Sequence, residues 1–174
     1  MSFEIEKIYD TYYRDVYHFA LYYTNNRQEA EDITQETFIK IMRNIGNLKN
    51  PERMKTWIFS IVKHTAIDLK RKQRFVQFLP DWIYEKESGE ATPENKAIQK
   101  NEWEELQEAL IKLKPLYRSI IILRGLKELS VKETAEIMGC SESKVRVDYH
   151  RAIQQMKKHV QVLEEGWGFN EQSK

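Results

Sequence analysis

Ten Lys or Arg residues stand between residues 40 and 74 against two acids, Glu52 and Asp68, a local net charge of +8 in a 174-residue chain whose total is +1. Within that stretch Lys63, Lys70, Arg71 and Arg74 fall at offsets of zero, seven, eight and eleven, which places four cations on one side of a helix. Cationic side chains concentrated in this way suit a polyanion, whose phosphates they neutralise with release of counterions. A second island, five basic against two acidic residues between 142 and 160, nets +3, and the protein between the two is neutral or acidic. Two islands predict two contacts on one extended polyanion. Covalent chemistry has no comparable signal. His18, His64, His150 and His159 are scattered and Cys140 is alone. There is no HExxH, no Gly-rich phosphate loop and no second cysteine for a zinc pair. Asp32 and Glu36 are surface neighbours one turn apart rather than an acid–base or metal-binding pair. The sequence therefore predicts a protein that is not an enzyme, with no cofactor and no metal.

The elements that must carry these side chains are helical. Six Gly and four Pro are few, and 32% of residues are charged, a profile of helices rather than of turn-rich sheets. We expect an all-α chain of two small helical domains joined by a linker: residues 1–75, a linker over 76–100, a second domain over 101–163, and a tail over 164–174. No apolar run reaches 18 residues, and the N-terminal MSFEIEK lacks the basic-then-apolar order of a signal peptide. Together with a single cysteine, which suits a reducing compartment as a small buried side chain, this predicts a soluble cytoplasmic protein.

In the first unit Ile5, Ile8, Tyr9, Tyr12, Val16, Phe19, Ala20 and Tyr23 recur at spacings of three and four from Phe3 to about Tyr23. Thr24, Asn25 and Asn26 break that helix. A second, from about Arg27 to Arg43, buries Ala30, Ile33, Thr37 or Phe38, and Ile41, and leaves Asp32, Gln35, Glu36, Lys40 and Arg43 as a sharply patterned polar face. A third enters through Pro51 and runs to about Arg74 with Met54, Trp57, Ile58, Ile61, Thr65 and Leu69 inward. The linker gathers Pro80, Gly89 and Pro93 but also Phe78, Leu79, Trp82, Ile83 and Tyr84. Those apolar residues either dock into a partner or pack back on the domains. Trp103, Leu106, Leu110 and Leu113 open the second unit, and a helix from Leu116 to about Arg124 follows, with Ile120 and Leu123 inward.

The segment LSVKETAEIMGCSESKVRVDYHRAIQQMKKHV carries its own punctuation. Ser130 with Glu133 is a capping box, Gly139 suits a left-handed helix end, and Ser141 can cap a helix from about Glu142 to His159. Val145, Tyr149, Ala152, Ile153, Met156 and Val160 face inward on the last helix, leaving Lys144, Arg146, Val147, His150 and Arg151 outward. Two helices joined by the turn Gly139-Cys140-Ser141 form a helix-turn-helix, whose second helix enters the major groove.

DITQETFIKIMRNI (32–45), KTWIFSIVKHTAIDLKRKQR (55–74) and LSVKETAEIMGCSESKVRVDYHRA (129–152), in that order and spacing, resemble an extracytoplasmic-function sigma factor, the smallest kind of bacterial transcription initiation factor. The resemblance spans about Ile8 to His159. It implies that Asp32, Gln35, Glu36 and Lys40 dock on the clamp helices of core RNA polymerase. It implies that Asn50, Lys55, Phe59, Lys63, His64, Lys70, Arg71 and Arg74 melt and read the minus-ten promoter element, with a base extruded into a pocket between the loop at Asn50 to Met54 and the helix. Unstacking a base costs a few kcal/mol and stacking it on side chains returns about 1–3, so melting without ATP is intelligible. Ser143, Lys144, Arg146, Val147, His150 and Arg151 then read the minus-thirty-five element as duplex. The linker resembles the segment threaded through the polymerase cleft towards the RNA exit path. A further implied partner is an anti-sigma factor, commonly membrane-bound, with no insertion of this chain itself into the membrane.

Three positions depart from the family pattern. His64 stands where relatives commonly carry Asn, Asp148 where the recognition helix often has Arg, and Glu128 where Gly often precedes the capping Ser. Asp148 either accepts from a cytosine amine or pairs with Arg151 or Lys144. The alternative function is a stand-alone helix-turn-helix regulator of duplex DNA, which accounts for residues 101–160 but leaves the second helix and the basic stretch without a task.

Overall fold

A computed structural model of the chain describes residues 2–77 and 102–160. Seven α-helices order these residues: α1 (Ser2–Thr24), α2 (Arg27–Asn44), α3 (Met54–Gln77), α4 (Glu102–Lys112), α5 (Pro115–Ile121), α6 (Val131–Met138) and α7 (Glu142–Lys157). The apolar linker residues 78–84 and the tail with Trp167 and Phe169 lie outside the described residues.

α1, α2 and α3 form a three-helix unit around Val16, Phe19, Ala20, Tyr23, Ala30, Ile33, Ile41, Ile58, Phe59, Val62 and Ala66, each buried almost completely. α1 ends where Thr24 turns its hydroxyl back onto the Ala20 carbonyl at 2.9 Å and Asn25 takes a left-handed φ of 51°. Asn tolerates that conformation better than most residues. Asn26 then caps α2 by accepting from the Glu29 N–H at 3.0 Å. Both alternatives weighed for α2 are inward, since Thr37 and Phe38 are both buried. Tyr9, expected inward on α1, is 44% exposed and lies over the Phe38 ring at 4.7 Å.

In the second unit α5 runs on into a π-helical turn at Ile122–Leu126, α6 packs on that turn, and α7 packs on α5 and α6. Glu128, in the turn before α6, has a φ of 53°. A side chain there crowds the following carbonyl at a cost of about 1–2 kcal/mol. Glycine gives up about 0.5–1 kcal/mol in extra chain entropy, so Glu128→Gly is expected to stabilise the fold by up to about 1 kcal/mol. Thermal unfolding followed by circular dichroism checks this: a midpoint at or below wild type counts against strain at Glu128.

The two units are in contact. Trp103 of α4 sets its ring edge-on against Tyr22 of α1 with centroids 5.2 Å apart, and α3 packs along α6. α3 is therefore covered on two sides, and this decides where its basic residues point.

Candidate nucleic-acid interface

α2 turns its patterned face to solvent. Asp32, Gln35 and Glu36 are exposed, and Lys40 is half-buried because its ammonium donates to Thr65 Oγ1 of α3 at 3.1 Å. Asp32, Glu36 and Lys40 line one bank of an open groove of about 980 Å³, and Asp68, Lys70 and Lys72 of α3 line the other. Lys70 Nζ lies 2.5 Å from Glu29 Oε2, and Gln73 donates to Glu29 Oε1 at 3.0 Å. Lys70, expected on the nucleic-acid side, thus belongs with the α2 face. Glu29, Asp68, Lys72 and Gln73 complete a groove that the sequence assigned to α2 alone. Thr65, Leu69 and Lys72 follow one another at spacings of four and three, a row on α3 that carried the signal. A groove of alternating charge favours a partner of matched pattern over one of bulk opposite charge.

The loop before α3 is held by its own polar groups. Asn50 accepts from the Glu52 N–H at 2.9 Å, and Thr56 donates to the Arg53 carbonyl at 3.1 Å. His64 is exposed and its Nδ1 donates to the Ser60 carbonyl at 2.7 Å. Arg71 and Arg74 are exposed, Arg71 with a loose pairing to Asp68 at 3.1 Å. Two members of the expected set lie elsewhere. Phe59 is 1% exposed and meets Phe19 edge-to-face with centroids 6.2 Å apart, so it is a core residue and leaves the interface. Lys63 is 5% exposed and donates to the Ile137 carbonyl of α6 at 2.8 Å; burial lowers its pKa. Lys55 reaches Glu133 of α6 at 3.2 Å. The four cations aligned by spacing therefore share no single free face: Lys63 meets α6, Lys70 meets α2, and Arg71 and Arg74 are open.

The helix-turn-helix has the punctuation its residues call for. Ser130 accepts from the Glu133 N–H at 3.1 Å while Glu133 accepts from the Ser130 N–H at 2.8 Å. Burial by itself would raise the Glu133 carboxyl, but its bonds to Ser130 and to Lys55 hold it below the ordinary range. Gly139 ends α6 with a φ of 65°, and Ser141 accepts from the Lys144 N–H at 3.2 Å to start α7. Ser143, Lys144, Arg146, Val147, His150 and Arg151 are all exposed on α7. Of the partners open to Asp148, the structure selects Lys144. The carboxylate is 3% exposed and takes the ammonium at 2.7 Å, which raises the Lys144 pKa through that hydrogen bond. Asp148 thereby anchors a cation at the rim of the helix instead of facing a base itself.

Sequence reading missed Arg118. It is 6% exposed and donates to the carbonyls of Tyr23, Leu110, Ile111 and Leu113 at 2.8, 2.9, 2.5 and 3.2 Å. Its guanidinium also lies 4.9 Å from the centre of the Tyr23 ring. One side chain thus closes the C-terminal ends of both α1 and α4, where helix dipoles favour a cation.

Two stretches of the chain match known protein families. Residues 8–76 match the family model of Sigma-70 region 2, and residues 103–156 that of Sigma-70 region 4. The chain is 32% identical over 170 residues to the ECF RNA polymerase sigma factor SigX of Bacillus subtilis, covering 95% of this chain and 88% of the relative. It is 34% identical over 144 residues to the RNA polymerase sigma factor SigV of the same organism, covering 83% of each. Among solved structures, the sigma factor RpoE of Bartonella quintana, in complex with the anti-sigma factor NepR, aligns with a TM-score of 0.71 at 21% identity over 91% of this chain and 98% of that one. CnrH in complex with the cytosolic domain of CnrY aligns with a TM-score of 0.67 at 18% identity, over 91% and 88%.

Proposed function

The chain belongs to the extracytoplasmic-function sigma factors of bacterial RNA polymerase, and from that membership we propose a residue-level division of labour. It acts as an alternative sigma factor that directs core polymerase to its own promoters. The groove of Asp32, Glu36 and Lys40, with Gln35 beside it and the α3 bank carrying Lys70, takes the polymerase clamp. The loop at Asn50, with Lys55, Lys63, His64, Arg71 and Arg74, takes the minus-ten element as a melted strand. Ser143, Lys144, Arg146, Val147, His150 and Arg151 take the minus-thirty-five element as duplex. For the functional units we take residues 1–75 and 101–163 as the boundaries; α3 itself continues to Gln77.

The observation that carries this reading is the placement of the patterned α2 groove and the exposed Arg71 and Arg74 on one helical unit, with a separate, fully capped recognition helix on the other. A stand-alone duplex-binding regulator needs only the second. Among the described residues no helix is long and apolar enough to cross a membrane, which suits action beside polymerase in the cytoplasm. One structural neighbour was solved with the anti-sigma factor NepR, and another, CnrH, with the cytosolic domain of CnrY. By extension this chain is held by an anti-sigma factor, membrane-bound, until a signal releases it.

Run-off transcription with purified core polymerase on a randomised promoter library tests the function and reads out both elements at once. Tight, specific duplex binding by the free chain, unaffected by added core, would instead support the stand-alone regulator. A sharper test separates melting from docking. Because Lys70 is engaged with Glu29, the double change Arg71→Ala/Arg74→Ala is the cleaner probe of the strand contact. Open-complex yield is expected to fall about tenfold and its salt dependence to become shallower by about two phosphate contacts. Core binding should stay within about twofold, since neither residue lines the docking groove. Equal loss of both activities would make the basic end of α3 merely structural.

A further inference from the structure

We propose that Asp148 is a positioning residue for promoter recognition: buried against the recognition helix, it fixes Lys144 as a donor to one guanine of the minus-thirty-five element. The inference rests on the assignment of α7 to that element above and names the residue that sharpens its base choice.

Lys144 is the third residue of α7, at the end of a recognition helix whose early residues reach base edges in the major groove. A free lysine there discriminates poorly. Its stem is flexible, and its compact charge meets a phosphate as readily as a base. Asp148 removes that freedom. Its Oδ2 takes the Lys144 ammonium at 2.7 Å, and the carboxylate is almost wholly buried while the lysine is half exposed. The anchor is thus enclosed by the fold and the cation it holds stays accessible. Cys140 of the turn and Tyr117 of α5 lie close enough to favour the charged ammonium as well.

Helix stability does not account for the pair. A cation in the first turn opposes the helix dipole, and a lysine placed N-terminal to its acid at i,i+4 is the weaker order. The same helix carries the favourable order beside it. Glu142 pairs with Arg146 at 3.4 Å, and both side chains are exposed. That contact is loose, so Arg146 is free to exchange it for a phosphate. Lys144 does not exchange so readily, because its departure would leave a buried carboxylate without a partner.

Guanine follows from the donors that remain. The ammonium has three N–H groups, one engaged by Asp148, and guanine shows two neighbouring acceptors, N7 and O6, in the major groove. Adenine sets an amino donor beside its N7, and cytosine turns an amino donor outward, so both oppose a fixed cation. Thymine has one acceptor beside a methyl group. Asp148 also offsets the lysine's charge at a distance, which weakens its general attraction to phosphate and leaves the contact at the base.

Run-off transcription by holoenzyme reconstituted from the full-length chain and core polymerase, on promoters randomised over the minus-thirty-five element, tests this. Wild type is expected to favour guanine at one position by about tenfold, and Lys144→Ala to lose that preference. Asp148→Ala should reduce it to about twofold at the same position and leave the choices at other positions as they are. Asp148→Asn keeps the shape and a weaker acceptor, so it should fall between the two, and it decides the matter if Asp148→Ala does not fold. Lys144→Ala/Asp148→Ala should match Lys144→Ala at that position, because Asp148 acts only through the lysine. On duplex lacking the element, Asp148→Asn holoenzyme should show a salt dependence steeper by about one phosphate contact. Wild-type guanine preference in both Asp148 variants, or an equal loss at every position, would overturn the proposal and leave α7 as the reader of the element. A base other than guanine at the position that depends on Lys144 would overturn it too. No change at any position with Lys144→Ala, Val147→Ala or Arg151→Ala would overturn the α7 assignment itself, and the proposal with it.

Discussion

Reversing Asp32 and Glu36 to Lys is expected to abolish association with core RNA polymerase, lowering affinity by at least about 100-fold, or about 3 kcal/mol. Both carboxylates are exposed on one bank of the α2–α3 groove, one turn apart, with Lys40 a further turn on. A partner selected by that alternation places cations opposite the two acids, and reversal converts two attractions into two repulsions at fixed geometry. Like charges brought together at an interface cost several kcal/mol. The fold has little reason to change. Glu36 loses only a loose pairing to Lys40 at 3.7 Å between partly exposed side chains, worth about 0–1 kcal/mol. Pull-down on immobilised core, beside thermal unfolding of each variant, measures both effects. Asp10→Lys, off the groove, serves as the charge control for each single reversal, Asp32→Lys and Glu36→Lys. Wild-type retention of the double variant would remove the groove from the docking surface. Loss with Asp10→Lys as well would reduce the effect to bulk charge.

What could be read from sequence tracks how local its physical cause is. The Ser130–Glu133 capping box, the left-handed Gly139 and the Ser141 cap are set within four residues of chain, and each is present as the residue types require. The α2 face was legible because that helix is covered on one side only, so polar spacing and exposure coincide. α3 broke the same rule. It packs on α1 and α2 along one side and on α6 along another, which widens its buried arc beyond a single stripe. Ile58, Phe59, Val62 and Ala66 form the innermost row, while Met54, Trp57, Ile61 and Leu69, expected there, are half-buried at its margins. A charge-based reading puts every lysine outside, yet Lys63 is enclosed by a contact with residue 137, across 74 positions of chain. Asp148 sits between these cases: its pairing one turn back was among the sequence alternatives, but its burial was not.

Replacing Arg118 with Met is expected to cost the largest part of the stability held by any single polar side chain of this fold, about 3 kcal/mol net. Charge-assisted hydrogen bonds contribute about 1.5–3 kcal/mol each, and Arg118 makes four, offset by the desolvation of its own buried charge. Methionine keeps much of the apolar stem but leaves the carbonyls at the ends of α1 and α4 facing each other without a donor. At about 2–4 °C per kcal/mol for a chain of this size, the melting temperature should fall by about 6–12 °C. Arg118→Lys separates charge from shape. One ammonium preserves the attraction to two helix C-termini but cannot span carbonyls that the planar guanidinium reaches together, so it should recover less than half of the loss. A midpoint for Arg118→Met within about 2 °C of wild type would mean that the desolvation cost cancels the four bonds.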